Sequence, residues 1–154
     1  MWQRIQTIFL FLAAVMLGLL FLPAMPFFTV TGTQELVQQS EVAMLADGVL
    51  NIQDHIIFQI LTVLGVIASI VAIFMFKNRS TQLTLSRLTL VISILILVLC
   101  GIFFYMDYQL IKADSLVSGE FGLLSPVLGI IFSVLALRGI KSDDKLVKSS
   151  DRLR

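Results

Sequence analysis

Four apolar runs decide what this chain is able to fold into. They occupy residues 5–28, 56–76, 88–105 and 121–137, and none carries an ionised side chain. Each is close to the roughly 20 residues that a helix needs to cross a hydrocarbon layer. Inside lipid every backbone N–H and C=O must be satisfied within the protein, so such runs span as helices. The expected fold is an all-α membrane protein, a four-helix bundle forming one integral domain over residues 1–154.

Composition agrees. Hydrophobic residues make up 58% of the chain and charged residues only 14%, against about a quarter in soluble domains. The spans use half the length, which leaves no second folded domain. The one cysteine, Cys100, lies inside the third run, so no intramolecular disulfide and no zinc spacing arises. The basic residues are few and tied to span ends, which is not a nucleic-acid footprint. The first run follows Arg4 as a secretory leader would. It exceeds a leader's apolar core and lacks a small-x-small cleavage site, so it is expected to stay as the first span.

The connections are short. Pro23 and Pro26 are expected to kink or end the first helix, since proline removes a backbone donor. In the polar segment 29–54, Asp47-Gly48 separates 41–46 from 49–53. That pattern predicts a small β-hairpin in the first outer loop. A lone hairpin is marginal in water, so it must pack on the span ends or the second loop, with 28–31 as a further strand. Lys77-Asn78-Arg79-Ser80 is a turn, with Ser80 or Thr81 the expected cap of the third helix. So short a link makes the second and third spans antiparallel neighbours. Residues 106–120 form the second outer loop, with Tyr105 and Tyr108 at interface depth. Pro126 falls where a helix tolerates proline.

Topology follows from charge. Arg4, Lys77, Arg79, Arg87, Arg138, Lys141, Lys145, Lys148, Arg152 and Arg154 fall on one face of the predicted topology, and only Lys112 on the other. The positive-inside rule then places both termini and the middle turn in the cytoplasm. Glu35, Glu41, Asp47, Asp54, Asp107, Asp114 and Glu120 fall on the opposite face.

Small residues mark where helices approach, because lipid supplies no hydrophobic drive between them. The candidate packing positions are Gly65, Ser69 and Ala72 (with Ala68) in the second span, and Ser125, Gly129 and Ser133 in the fourth. Ala14 and Gly18 share that spacing in the first. These are expected to pack within the chain, with a partner subunit as the other use.

Reactive groups are sparse. His55, beside Asp54, is the only histidine. With Asp47, Asp107 or Glu120 it would make an oxygen-rich metal site. A hydrated interfacial histidine is the plainer reading, and no metal or cofactor is expected. Cys100 is expected to be inert. Ser69, Ser93 and Ser133 are expected to bond preceding carbonyls, and no base stands at membrane depth to activate them. The tail 138–154 is patterned: Arg138, Lys141, Lys145, Lys148 and Arg152 are spaced three, four, three and four. On a continuous helix they form one stripe. With Arg79 and Arg87, that stripe suits anionic lipid headgroups or an acidic partner. Asp144 is placed to pair with Lys148.

Three segments carry a family likeness. The opening Met1-Trp2-Gln3-Arg4-Ile5-Gln6-Thr7 is the first, and the turn from Lys77-Asn78-Arg79 to Leu85-Ser86-Arg87-Leu88 the second. The third is Ala136-Leu137-Arg138-Gly139-Ile140-Lys141, with Asp144-Lys145-Leu146-Val147 and Ser150-Asp151-Arg152-Leu153-Arg154. Together they resemble a Bacteroidetes family of small four-span membrane proteins, a domain of unknown function. The resemblance covers the whole chain and implies a multi-pass protein of a bacterial inner membrane, without catalytic residues. The expected function is a non-enzymatic accessory or scaffold subunit of a membrane complex. The alternative is a small transport or lipid- or ligand-binding protein that uses its outer loops.

Overall fold

The computed structural model describes residues 2–31, 48–108 and 116–151. It is mostly helical. The helices are α1 (Trp2–Leu19), α2 (Ile56–Phe74), α3 (Arg79–Tyr108) and α4 (Leu124–Asp151). A small sheet is built from β1 (Phe28–Thr31), β2 (Val49–Leu50) and β3 (Leu116–Gly119). Three helices are long and apolar enough to cross a membrane: Ile56–Phe74, Arg79–Tyr108 and Phe121–Asp144. The apolar part of α1, Ile5–Leu19, is shorter.

The first apolar run does not stay helical to residue 28. It leaves the α-helix at Leu19, and Phe28 is a strand residue. The cause is Pro23, which lacks an N–H and whose ring collides with the carbonyl four residues back, that of Leu19. The chain then tightens into i→i−3 bonds, Leu22 N–H to Leu19 C=O at 3.0 Å and Met25 N–H to Leu22 C=O at 3.1 Å.

Helix α3 begins at Arg79, so residues 81–87 form its first turns ahead of the apolar run, as the turn at 77–80 leads one to expect. Its cap is neither Ser80 nor Thr81. The Asn78 side-chain oxygen accepts from the Thr81 N–H at 3.3 Å, and the Asn78 carbonyl accepts from Gln82. Asparagine serves here because its short amide reaches an orphan donor of the first turn. Helix α4 opens with a 3-10 turn (Phe121–Leu123) and takes buried Pro126 in its first turn.

Helix α1 packs on α2 and α4, and α3 packs on the same two. The main core joins Leu17 and Leu20 beside α1's end, Phe58 of α2, and Ile92, Ile96 and Cys100 of α3 to Phe27, Leu50 and Ile52. A second cluster, Leu10, Ala72 and Ala136, ties α1, α2 and α4 nearer the other end. The outer faces stay apolar: Phe11, Ile60, Leu64, Ile67, Val91, Val98 and Ile131 are all exposed. Polar side chains meanwhile lie inside: Gln6, Thr62, Ser69, Gln82, Ser86, Thr89, Ser93, Ser125 and Ser133 are buried. An oily exterior around a polar seam suits lipid and would aggregate in water. The arrangement is consistent with a membrane protein.

In the sheet β1 is central, in the order β2-β1-β3, and both pairings are antiparallel. Phe28 stands opposite Leu50 on one side and Gly119 on the other. The two loops therefore join across β1. The strand at 49–50 pairs with β1, while the expected hairpin partner, 41–46, and Asp47 lie outside the described residues. Gly48 has φ +75, and a Cβ added there would sit 3.0 Å from the Val30 carbonyl oxygen. Left-handed backbone costs an L-residue roughly 1–2 kcal/mol. Gly48→Ala is expected to lower stability by about that amount in a denaturant titration of the detergent-solubilised chain, and Gly48→Asn by less.

Candidate functional site at the charged end

Two polar regions lie at opposite ends of the helices. The charged end gathers the start of α1, the α2–α3 turn and the far part of α4. Gln6 is buried at the start of α1, and its side-chain amide donates to the Asp143 carboxylate. The Arg79 guanidinium donates to the Asp143 backbone carbonyl at 3.0 Å. Gly139 makes room for this contact: a Cβ there would come within 2.7 Å of the Gln6 side chain. Gln6, Phe76, Arg79, Gln82, Ile140 and Asp143 enclose a small polar gap there. Asp143, Gln6 and Gly139 were not singled out by pattern. Gln6 and Gly139 lie in the segments that carry the family likeness, and Gln6 is also a polar residue inside an apolar run; Asp143 had no such signal.

Beside this knot a cleft of about 280 Å³ opens between α3 and α4, lined by Arg79, Ser80, Leu83, Thr84, Arg87 and Asp144. The Thr84 hydroxyl donates to the Ser80 carbonyl at 3.1 Å. Arg87, Arg138 and Lys141 are exposed. Helix α4 is continuous to residue 151, which puts Arg138, Lys141, Lys145 and Lys148 on one helix at spacings of three and four. Arg152, and the side chains of Lys145 and Lys148, lie outside the description, so the Asp144–Lys148 pairing does too.

The small-residue positions fall between helices. A Cβ at Gly65 would lie 2.9 Å from Leu17 Cδ1 and 3.1 Å from Ile92 Cγ2; one at Gly129 would lie 3.2 Å from Ser93 Oγ. Ala72 is fully buried against Leu10 and Ala136. The Ser125 hydroxyl donates to the Met16 carbonyl, an α4–α1 link. Ser69 donates to the Gly65 carbonyl at 2.9 Å and lies 3.2 Å from the Thr89 hydroxyl, an α2–α3 link. Ser93 donates to the Thr89 carbonyl at 2.9 Å. The hydroxyls of Ser133 and Thr62 are buried without a hydrogen bond among the described residues. Gly18 is different: nothing lies within 4 Å of a Cβ built there, so it marks no close approach. In a double-mutant cycle, Ser69→Ala and Thr89→Val are expected to show a coupling of about 0.6 kcal/mol, the usual size between membrane helices.

At the other end His55 stacks on Phe103, with ring centroids 4.2 Å apart and planes at 22°. It lies within electrostatic reach of Asp107. His55 Nε2 and Asp107 Oδ2 are both buried without a hydrogen bond among the described residues. Glu120 accepts from the Thr29 hydroxyl at 2.9 Å and from the Ser118 hydroxyl at 3.3 Å. Asp54 accepts from the Asn51 N–H at 2.5 Å. Asp47 lies outside the described residues. Among those described, no group of three His, Cys, Asp or Glu residues is placed to hold a metal ion.

A family model described as domain of unknown function DUF4293 matches residues 2–153. The chain belongs to that family. The match takes in every helix of the fold, from the start of α1 to the end of α4, so this architecture is the one the DUF4293 family model spans. Neither the curated proteins nor the solved structures contain a match to the chain.

Proposed function

We propose that this member of the DUF4293 family is a non-enzymatic, multi-pass accessory or scaffold subunit of an inner-membrane complex. In this reading α1 is a fourth span. Its 18 residues reach about 27 Å, and the tighter turns at 20–25 complete the crossing. Both termini lie in the cytoplasm with the basic residues. A Gram-negative, Bacteroidetes-type envelope fits the sequence likeness.

The observation that carries the proposal is the charged end. There Gln6, Arg79 and Asp143 tie α1, α3 and α4 to one another, while Arg87, Arg138 and Lys141 face outward. A rigid end that presents cations suits docking to an acidic surface. The test is purification from native membranes on an N-terminal tag, with mass spectrometry of what co-purifies. A stoichiometric partner lost on combined Arg138→Gln and Lys141→Gln substitution supports the reading. Recovery of the chain alone, after crosslinking in intact membranes, overturns it.

The His55–Asp107 pair favours a second reading, a small transport or ligand-binding protein that works through its outer loops. Two buried polar atoms, His55 Nε2 beside the Phe58 and Phe103 rings and Asp107 Oδ2, have no hydrogen bond among the described residues and offer a cation or a donor a place to bind. If His55→Gln and Asp107→Asn leave the phenotype of a deletion strain fully complemented, that reading falls.

A further inference from the structure

We infer that the α3–α4 cleft binds the headgroup of a zwitterionic phospholipid, one that carries a phosphate and a primary ammonium group. The inference rests on the membrane-spanning reading and not on the scaffold role.

Three observations converge. The first is charge. The cleft presents two guanidiniums, Arg79 and Arg87, and one carboxylate, Asp144. Guanidinium groups grip phosphate oxygens in a fork that a point charge cannot reproduce. Arg79 gives one N–H to the Asp143 carbonyl, one of the five that a guanidinium carries. Asp144, engaged also within the protein, would repel a purely anionic headgroup but accepts from an ammonium. The Ser80 and Thr84 hydroxyls complete a polar lining. The second is size: about 280 Å³ is close to the lower end of small-ligand sites and holds a headgroup, not a whole lipid.

The third is depth. Helix α3 has 30 residues, about 45 Å, as long as a bilayer with its headgroup layers. Its charge-free run starts at Leu88, directly after Arg87. The cleft therefore sits at headgroup level. Ser80, Thr84 and Arg87 share a helical face with Val91, Ile94, Val98 and Ile102, which are 42–56% exposed. An acyl chain has an apolar track to follow below the headgroup. A soluble phosphate ester would leave that track bare, so the occupant is a lipid.

The test is native mass spectrometry of the full chain, exchanged in mild detergent with equal amounts of phosphatidylethanolamine and phosphatidylglycerol of matched acyl chains. The wild type is expected to retain the first about tenfold over the second. Asp144→Asn, nearly isosteric, is expected to erase that preference while both lipids still bind. Arg87→Gln, at an exposed position, is expected to lower retention of both about tenfold. Equal retention of the two lipids by the wild type overturns the inference, as does unchanged retention in both variants. Displacement of bound lipid by millimolar free phosphoethanolamine overturns the lipid as its occupant. A chain that resists carbonate extraction yet keeps no lipid overturns the headgroup site alone. A chain released by carbonate overturns the membrane-spanning reading itself.

Discussion

Phe27→Ala is expected to destabilise the protein by about 3–5 kcal/mol, the range for deleting a buried aromatic ring. Phe27 is fully buried in the main core and packs on Phe58 with centroids 5.6 Å apart. Its backbone also closes the sheet: its N–H donates to the Leu50 carbonyl at 2.8 Å, and its carbonyl accepts from Glu120 at 3.0 Å. Alanine keeps those two bonds but leaves a void where α1's end, α2 and both loops meet. Denaturation in mixed micelles, followed by helicity, measures the loss. Phe121→Ala is the control. That ring is 70% exposed, so its removal is expected to change stability by less than about 0.5 kcal/mol.

Gly65→Leu is expected to cost about 3 kcal/mol or more, the upper end for overpacking a filled interior. Gly65 sits where α1, α2 and α3 converge, with Leu17 and Ile92 already at contact distance from a Cβ. Gly65→Ala is expected to cost about 1 kcal/mol. The nearer atom, Leu17 Cδ1, ends a flexible side chain and moves aside, whereas the β-branched Ile92 is stiff. Gly18→Ala supplies the opposite sign. Nothing crowds that position, so the helix gains propensity, about 0.5–1 kcal/mol. The three variants, melted side by side in one detergent, separate packing glycines from incidental ones.

The apolar runs made the helices legible, because length and lack of charge suffice to mark a span. Their ends were less legible. Leu19 ends α1 through a clash that depends on Pro23's position rather than on hydropathy, and the residues after it are as oily as those before. The start of α3 was legible to within two residues, since the turn at 77–80 marked it; only the capping side chain, Asn78 rather than Ser80 or Thr81, was not. Residues 28–31 were expected as a further strand of the outer sheet; what the sequence left open was their central place, which depends on partners far along the chain. Glycine spacing did point to Gly65 and Gly129, but the same spacing offered Gly18, which nothing approaches. At the charged end, the basic residues were evident from their place beside the apolar runs. The Gln6–Asp143 contact was not, since it joins residues 137 apart in sequence.

The central strand carries a consequence for biogenesis. Residues 28–31 emerge early in synthesis, yet their longer partner, 116–119, follows α3. Contacts of such separation form late, because the intervening chain must first be placed. During synthesis the edge of β1 that pairs with β3 therefore stays open until α2 and α3 have been made. On the proposed four-span reading the sheet would report on insertion: β3 reaches β1 only when the helices between them have crossed so as to bring both strands to one side. Chains stopped before residue 116 are expected to leave that edge open to added protease, and a protease-sensitive N-terminal fragment would report it.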